Sequence, residues 1–182
     1  MNKSLTGGGA VVVLRKIGAI WGVAGTMTIV GYALYRLSFY AFDSLGYELT
    51  VWQLLVLITW GAYMFYAEGI KGFARSFSPR SVARAQYIAR HGRWHHIIFA
   101  PIFCFGYYQT TRRKLIVIYS LTAGIVGLIL IIRLLPQPWR GIIDFGVVLG
   151  LSCGLVTLAY FAYKAWRTRQ YAIDPAVTTD KN

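Results

Sequence analysis

Four long apolar stretches limit what this sequence can fold into. They cover residues 17–42, 49–67, 115–135 and 142–163. A helix needs about 20 mainly apolar residues to cross a bilayer, because the hydrocarbon core is about 30 Å thick. Each stretch is close to that length, so we expect four transmembrane helices.

The composition supports a membrane location for the whole chain. Hydrophobic residues make up 57% of the sequence and charged residues 14%, whereas about a quarter of the residues in a soluble domain are charged. We therefore predict an all-α integral membrane protein in which residues 17–166 form a single four-helix transmembrane bundle. Residues 1–16 would be a cytoplasmic N-terminal arm, and residues 167–182 a cytoplasmic tail.

The basic residues fall mainly on one side of these stretches. Of the 19 Lys and Arg residues, 16 precede the first or third stretch or follow the second or fourth, and only Arg36, Arg133 and Arg140 lie at the opposite ends. Cytoplasmic loops carry the excess of Lys and Arg. The pattern predicts cytoplasmic termini and a cytoplasmic basic region at 68–114, in a bacterial inner (plasma) membrane. A net charge of +13 then reflects orientation, and we expect no nucleic-acid partner.

A shorter apolar segment, residues 97–108, lies between the second and third stretches. Its twelve residues would cover only about 18 Å as a helix, and Pro101 would break or kink that helix. A crossing here would also place the cluster Arg112–Lys114 on the external side. We therefore expect a short re-entrant or interfacial hairpin that leaves and returns on the cytoplasmic face.

A cationic amphipathic helix is expected just before this hairpin. Ser78 followed by Pro79 is typical of an N-cap and first helical position, and Gly92 is a plausible terminator. Such a helix would rest on the anionic inner leaflet.

The density of basic residues around the hairpin is the strongest functional signal. Orientation alone is one explanation for them; the other is a binding site for anionic lipid headgroups or for an acidic partner. The candidate contacts are Arg75, Arg80, Arg84, Arg90, Arg93, Arg112, Arg113 and Lys114.

Glycines recur at helical spacing in the first and fourth stretches. Gly146, Gly150 and Gly154 share one helix face, and Gly18 and Gly22 share another. Small residues let transmembrane helices approach closely. The two faces could pack within the bundle or dock a helix of another protein.

Two acidic residues are candidates for structural ion pairs. Glu68 directly follows the second stretch and could pair with Lys71, and Asp144 in the fourth stretch could pair with Arg133 or Arg140. Acids within membranes are also candidates for proton or ion sites. Because these two acids are expected at opposite membrane faces, they cannot form a catalytic pair.

Nothing in the sequence predicts a metal or a cofactor. His91, His95 and His96 are close in sequence, but adjacent histidines on a helix point about 100° apart, so hydrogen bonds to headgroups or water are favoured over a metal site.

Three functions are compatible with these patterns. The leading hypothesis is a non-enzymatic accessory or scaffolding subunit of a larger membrane complex, binding anionic lipid and another membrane protein or a second copy. The alternative is a lipid-handling protein that transfers or modifies a phospholipid or isoprenoid, with Glu68 as base or headgroup contact and the hairpin as a lid. The third is a small channel or transporter formed by oligomerisation.

Overall fold

A computed structural model describes residues 5–168, and this part of the chain is helical without strands. One segment, Phe65–Phe77, is a π-helix. The α-helices are α1 (Leu5–Ser44), α2 (Val51–Met64), α3 (Ser78–His91), α4 (Trp94–Ile98), α5 (Ala100–Phe105), α6 (Arg112–Ile132) and α7 (Trp139–Thr168).

Three helices of the described part are long and apolar enough to cross a membrane: Gly9–Ser44 within α1, α6 and α7. They contain the first and fourth predicted stretches and most of the third, so the fold is compatible with a multi-pass membrane protein. The first helix begins earlier than expected, because α1 starts at Leu5 and includes most of the predicted N-terminal arm.

The second predicted stretch belongs to a longer helical segment. The chain passes without a break from α2 through the π-helix into α3. The backbone N–H of Ser78 donates to the carbonyl of Phe73, five residues earlier, so Ser78 is not an N-cap. Its hydroxyl instead lies 3.1 Å from that of Thr157 in α7. The α-helix α3 does begin at Ser78, as predicted, but it continues directly from the π-helix and is not capped by the Ser78 side chain.

This segment runs parallel to α7. At one end the indole N–H of Trp60 donates to the carbonyl of Ile143, and at the other the amide of Gln86 donates to the carbonyl of Ala165. Between these two contacts the segment advances by 26 residues, whereas α7 advances by 22. A π-helix bonds residues five apart, so it advances less per residue and absorbs the difference.

The glycine face of α7 is filled by this same segment. A Cβ atom added to Gly146 would lie 2.5 Å from the Trp60 ring, and one added to Gly154 would lie 2.6 Å from the Phe73 ring. Gly150 faces the side chain of Glu68 in the same way. The face therefore packs within the chain, which is the first of the two alternatives, and these glycines are not available to dock a partner helix.

The glycine face of α1 is also filled internally, by the short helices α4 and α5. Gly18 contacts Ile97, Gly22 contacts Ala100 and Cys104, and Gly25 contacts Pro101. The apolar segment that was too short to cross is therefore a helical hairpin seated on α1. Its Pro101 stands at the start of α5 and so does not interrupt a hydrogen-bonded turn.

The helix α3 lies inside the bundle. Eight of its fourteen residues are buried, among them Val82, Ala85 and Ile88. Val82 packs with Leu158 of α7, and Ile88 packs with Phe103 of α5. This burial places α3 between helices of its own chain.

Substitution of Gly154 tests the internal packing. Leucine at this position would meet the Phe73 ring, and overpacking of this kind costs about 1–3 kcal/mol. We expect Gly154→Leu to lower the thermal unfolding midpoint in detergent. Gly31→Leu is the matched control because no atom lies within 4 Å of a Cβ added there. Equal midpoints for the two variants would contradict the packing.

Candidate functional site

Arg84 organises the hairpin from inside the protein. Its side chain enters from α3, a position it reaches because small residues, Ala83 and Ala85, flank it. One guanidinium nitrogen donates to the carbonyls of Phe103 at 2.9 Å and Tyr108 at 3.0 Å, and the other donates to the hydroxyl of Thr110. These carbonyls lie at and beyond the end of α5, and that of Phe103 also accepts from the backbone N–H of Gly106 at 3.0 Å.

The environment of Arg84 differs from that of a headgroup ligand. The residue is 4% exposed and its guanidinium lies 5.0 Å from the centre of the Phe103 ring. Burial lowers the pKa of this guanidinium, because the charged form loses hydration. Arg84 is thus a structural cation of the hairpin, which corrects its assignment as a contact for lipid or a partner.

Arg15 joins the start of α1 to the same region. Its Nε donates to the carbonyl of Gly92 at 2.9 Å, and a terminal nitrogen donates to the carbonyl of Arg90 at 3.1 Å. The last carbonyls of a helix lack intrahelical partners, so Arg15 satisfies the end of α3. The sequence analysis did not single out this residue.

His96 fixes the other side of the hairpin. Its Nδ1 accepts a hydrogen bond from the backbone N–H of Arg93 at 3.1 Å, and its Nε2 lies 2.5 Å from the amide oxygen of Gln109. Both contacts suit a neutral imidazole with its proton on Nε2. His96 is 3% exposed, so it faces neither headgroups nor water as the sequence analysis expected.

The other candidate cations precede or follow this hairpin in the chain. All seven have exposed side chains: Arg75, Arg80, Arg90, Arg93, Arg112, Arg113 and Lys114. Guanidinium groups bind phosphate and carboxylate through paired hydrogen bonds. The surface formed by these seven residues, called the basic surface below, has the chemistry of an anion-binding face.

Asp144 forms the only ion pair within 4.0 Å in the part of the chain that the structure describes. Its carboxylate lies 3.9 Å from Nε of Arg140, and the Arg140 guanidinium stacks 3.6 Å from the centre of the Tyr40 ring. The pair therefore ties α7 to α1. Arg133 is exposed at the end of α6 and does not join it.

Glu68 does not pair with Lys71, contrary to the prediction. The Lys71 ammonium lies over the Tyr66 ring, 5.8 Å from its centre. The buried Oε2 of Glu68 has no hydrogen-bond partner and faces Gly150 on α7. The π-helix places Glu68 well along α7 rather than at the end of a helix.

The arrangement contains anion-binding and structural groups but no assembled catalytic pair among residues 5–168. Glu68 faces Gly150 in α7, whereas Asp144 lies near the start of α7 beside Arg140. Within this range no group of three or more His, Cys, Asp or Glu side chains is placed to hold a metal ion. No family model matches the sequence, and comparisons with curated proteins and with solved structures find no match.

Sequence reasoning missed Arg15 and the pair of His96 with Gln109. Their partners are backbone carbonyls or residues 13 to 77 positions away, so no local motif marks them. Arg84 carried one available signal, since its neighbours Val82, Ala85 and Ile88 form an apolar stripe on the same helix.

Removal of Arg84 should open the hairpin. Burial raises the pKa of the Cys104 thiol to about 12, and only a thiolate reacts readily with alkylating reagents. In a Cys153→Ser background, Arg84→Met removes one donor from each of three acceptors, and a buried acceptor left without any partner costs about 1–3 kcal/mol. We expect faster alkylation of Cys104. Arg80→Met, on the exposed side of the same helix, should leave the alkylation rate of Cys104 unchanged. Equal alkylation rates for Arg84→Met and Arg80→Met would refute the role of Arg84.

Acidification should weaken the hairpin through His96. Burial lowers the pKa of His96 below its ordinary value of 6.5; the bond to Gln109 opposes this change, and His95 and Arg93 add to it. The unfolded chain therefore binds a proton at higher pH than the folded chain does. The contribution of neutral His96 is fully present above about pH 6.5 and declines as the pH falls below that value.

Thermal unfolding across this pH range measures the effect. We expect His96→Gln to remove part of the acid sensitivity, because glutamine does not titrate, and the exposed His91→Gln to leave it unchanged. An unaltered pH profile for His96→Gln would rule out this contribution.

Proposed function

We propose that the chain crosses the bacterial inner membrane four times with both termini in the cytoplasm. The second crossing is made by α2 and the π-helix. Support comes from the parallel packing of α2, the π-helix and α3 along α7. It extends from the contact of Trp60 with Ile143 to that of Gln86 in α3 with Ala165. A segment that accompanies a membrane-crossing helix over this length crosses the same bilayer.

The arrangement of the ends agrees with this topology. Ser44 of α1 lies against Gly141 near the start of α7, whereas Arg15 contacts the end of α3. The basic surface and the hairpin are then cytoplasmic, as the positive-inside rule requires.

Within this topology the protein acts as a non-enzymatic accessory or scaffolding subunit that docks another membrane protein through α6. One observation carries this function: only 6% of the apolar window of α6 is buried, compared with 28% in α1 and 33% in α7. Its contacts with the rest of the chain include the hydroxyl pair of Tyr107 and Thr122 at 2.6 Å and the contact of Ile118 with Gly106.

The free side of α6 carries small residues. At about 100° per residue, Ser120, Gly124 and Gly127 fall within about 60° of one another, opposite Ile118 and Thr122. No atom lies within 4 Å of a Cβ added to Gly124 or Gly127. Small residues at such a face allow the close helix contact that drives association in membranes. The glycine faces of α1 and α7 are filled, but this face is open.

A different protein fits this face better than a second copy. In a symmetric dimer within one membrane, the two α6 helices would be parallel, so Arg112, Arg113 and Lys114 of each copy would meet at the same depth. Like charges repel, and all three side chains are exposed. The expected partner therefore offers a transmembrane helix with a small-residue face. Acidic residues of the partner or anionic lipid headgroups would bind the basic surface.

Lipid handling has less support. That function needed Glu68 beneath a hairpin lid, but α4 and α5 pack on α1 and α3, whereas Glu68 faces α7.

Purification in native lipid particles, followed by native mass spectrometry, tests the docking role. We expect a stoichiometric second polypeptide with the wild type and with Gly31→Leu, whose open glycine lies on α1. Gly124→Leu combined with Gly127→Leu should lose it, because the bulk prevents close helix contact. A wild-type protein without a second polypeptide, or one retained equally by the double variant, would contradict docking through α6.

A further inference from the structure

Glu68 lies deep along α7. It faces Gly150, which is eight residues after the start of the apolar stretch 142–163 and thirteen before its end. At about 1.5 Å per residue, those distances are about 12 Å and about 20 Å. With the second crossing proposed above, the carboxyl group therefore lies within the hydrocarbon core.

Among residues 5–168, no basic side chain forms an ion pair within 4.0 Å of the Glu68 carboxyl group. Its Oε2 is buried without a hydrogen-bond partner. The face of α7 opposite it contains glycines and, beside Gly69, Cys153. On its own segment, the Lys71 ammonium lies over Tyr66 and Arg75 is exposed. An isolated carboxylate in an apolar medium is strongly disfavoured relative to the neutral acid.

The backbone at this position is also unusual. Glu68 lies in the π-helix, whose extra residues shift the facing of side chains relative to a regular helix. Ionisable residues within membranes are associated with proton relays and ion pathways. Because Gly150 has no side chain, the Glu68 carboxyl group fits against α7 at this position.

We propose that Glu68 is an intramembrane proton-binding site. Its carboxylic acid is held protonated in the seam between the π-helix and α7, and it releases its proton only when water enters that seam. The site takes a proton as its ligand. It rests on the proposed second crossing and is independent of any docking partner.

A protonated acid in the hydrocarbon core has a characteristic reactivity with hydrophobic carbodiimides. The acid O–H proton is transferred to a carbodiimide nitrogen, and the carboxyl oxygen bonds to the central carbon. The acyl group then migrates to nitrogen, which gives a stable N-acylurea without any leaving group. A carboxyl group in water is activated in the same way by a water-soluble carbodiimide, and the amine of added glycine ethyl ester then displaces the urea to give a stable amide.

The experiment labels the full-length protein in membranes with dicyclohexylcarbodiimide or with a water-soluble carbodiimide, and peptide mass spectrometry locates the product. Glu48 is the internal control because it is an exposed glutamate outside the helices. At neutral pH we expect the hydrophobic reagent to modify Glu68 and not Glu48, and the water-soluble reagent to modify Glu48 and not Glu68. Glu68→Gln should abolish the hydrophobic product.

Infrared spectroscopy gives a second readout without a reagent. The wild type should show a carbonyl stretch of a protonated carboxyl group at neutral pH that is lost in Glu68→Gln, a neutral variant of nearly the same shape. A loss from the carboxylate band instead would overturn the proposal, since Glu68 would then be ionised and paired with a cation.

The labelling pattern also separates failure of the site from failure of the topology. Modification of Glu68 by the water-soluble reagent would place it in water and refute the second crossing together with the site. Labelling by neither reagent, with normal labelling of Glu48, would refute the proton site alone. Loss of the docking partner would affect none of these outcomes.

Discussion

Close backbone approach at glycine is the contact on which the rest of this structure depends. On α7, Gly146, Gly150 and Gly154 admit Trp60, Glu68 and Phe73, and on α1 the glycines at 18, 22 and 25 admit the hairpin. In lipid there is little hydrophobic force between helices, so association relies on packing at small residues. Larger side chains at these positions would separate the helices and remove the support of the hairpin.

The polar contacts depend on this packing. Once the hairpin is seated on α1, Arg84 reaches the carbonyls of Phe103 and Tyr108, and Arg15 reaches the end of α3. Buried carbonyls left without a donor are costly in an apolar interior, and the two arginines supply donors where helices end. Exposed arginines and buried Arg84 therefore have different roles on the same helix: the first can bind anions, and the second maintains the shape of the surface that presents them.

Much of the fold could be predicted from the sequence, because length and apolarity determine which segments can cross a bilayer. Three of the four predicted stretches appear as helices of sufficient length and apolarity. Residues 97–108 form no helix long enough to cross a membrane, as predicted, and Gly92 does follow the last residue of α3. The π-helix could not be predicted, since its hydrogen-bond pattern results from the match with α7 rather than from a local preference. Its consequence, the depth of Glu68, was missed for the same reason.

The site was less predictable than the fold. Charge counts indicated a basic face, and seven of the eight candidate cations are exposed there. The eighth, Arg84, is buried, and a pattern of charge alone does not distinguish the two situations. The glycine patterns indicated close helix contacts but not their partners, because small residues pack equally well within one chain and between chains.

A disulfide between Ser78→Cys and Thr157→Cys, in a chain without Cys104 and Cys153, tests most directly whether one continuous helix accompanies α7. The two hydroxyls are 3.1 Å apart, so thiols at these positions fall within the geometry of a disulfide. Mild oxidation in native membranes should join them rapidly within one chain, while Arg80→Cys with Thr157→Cys should not react. No cross-link between positions 78 and 157, or equal cross-linking by both pairs, would contradict the architecture described here.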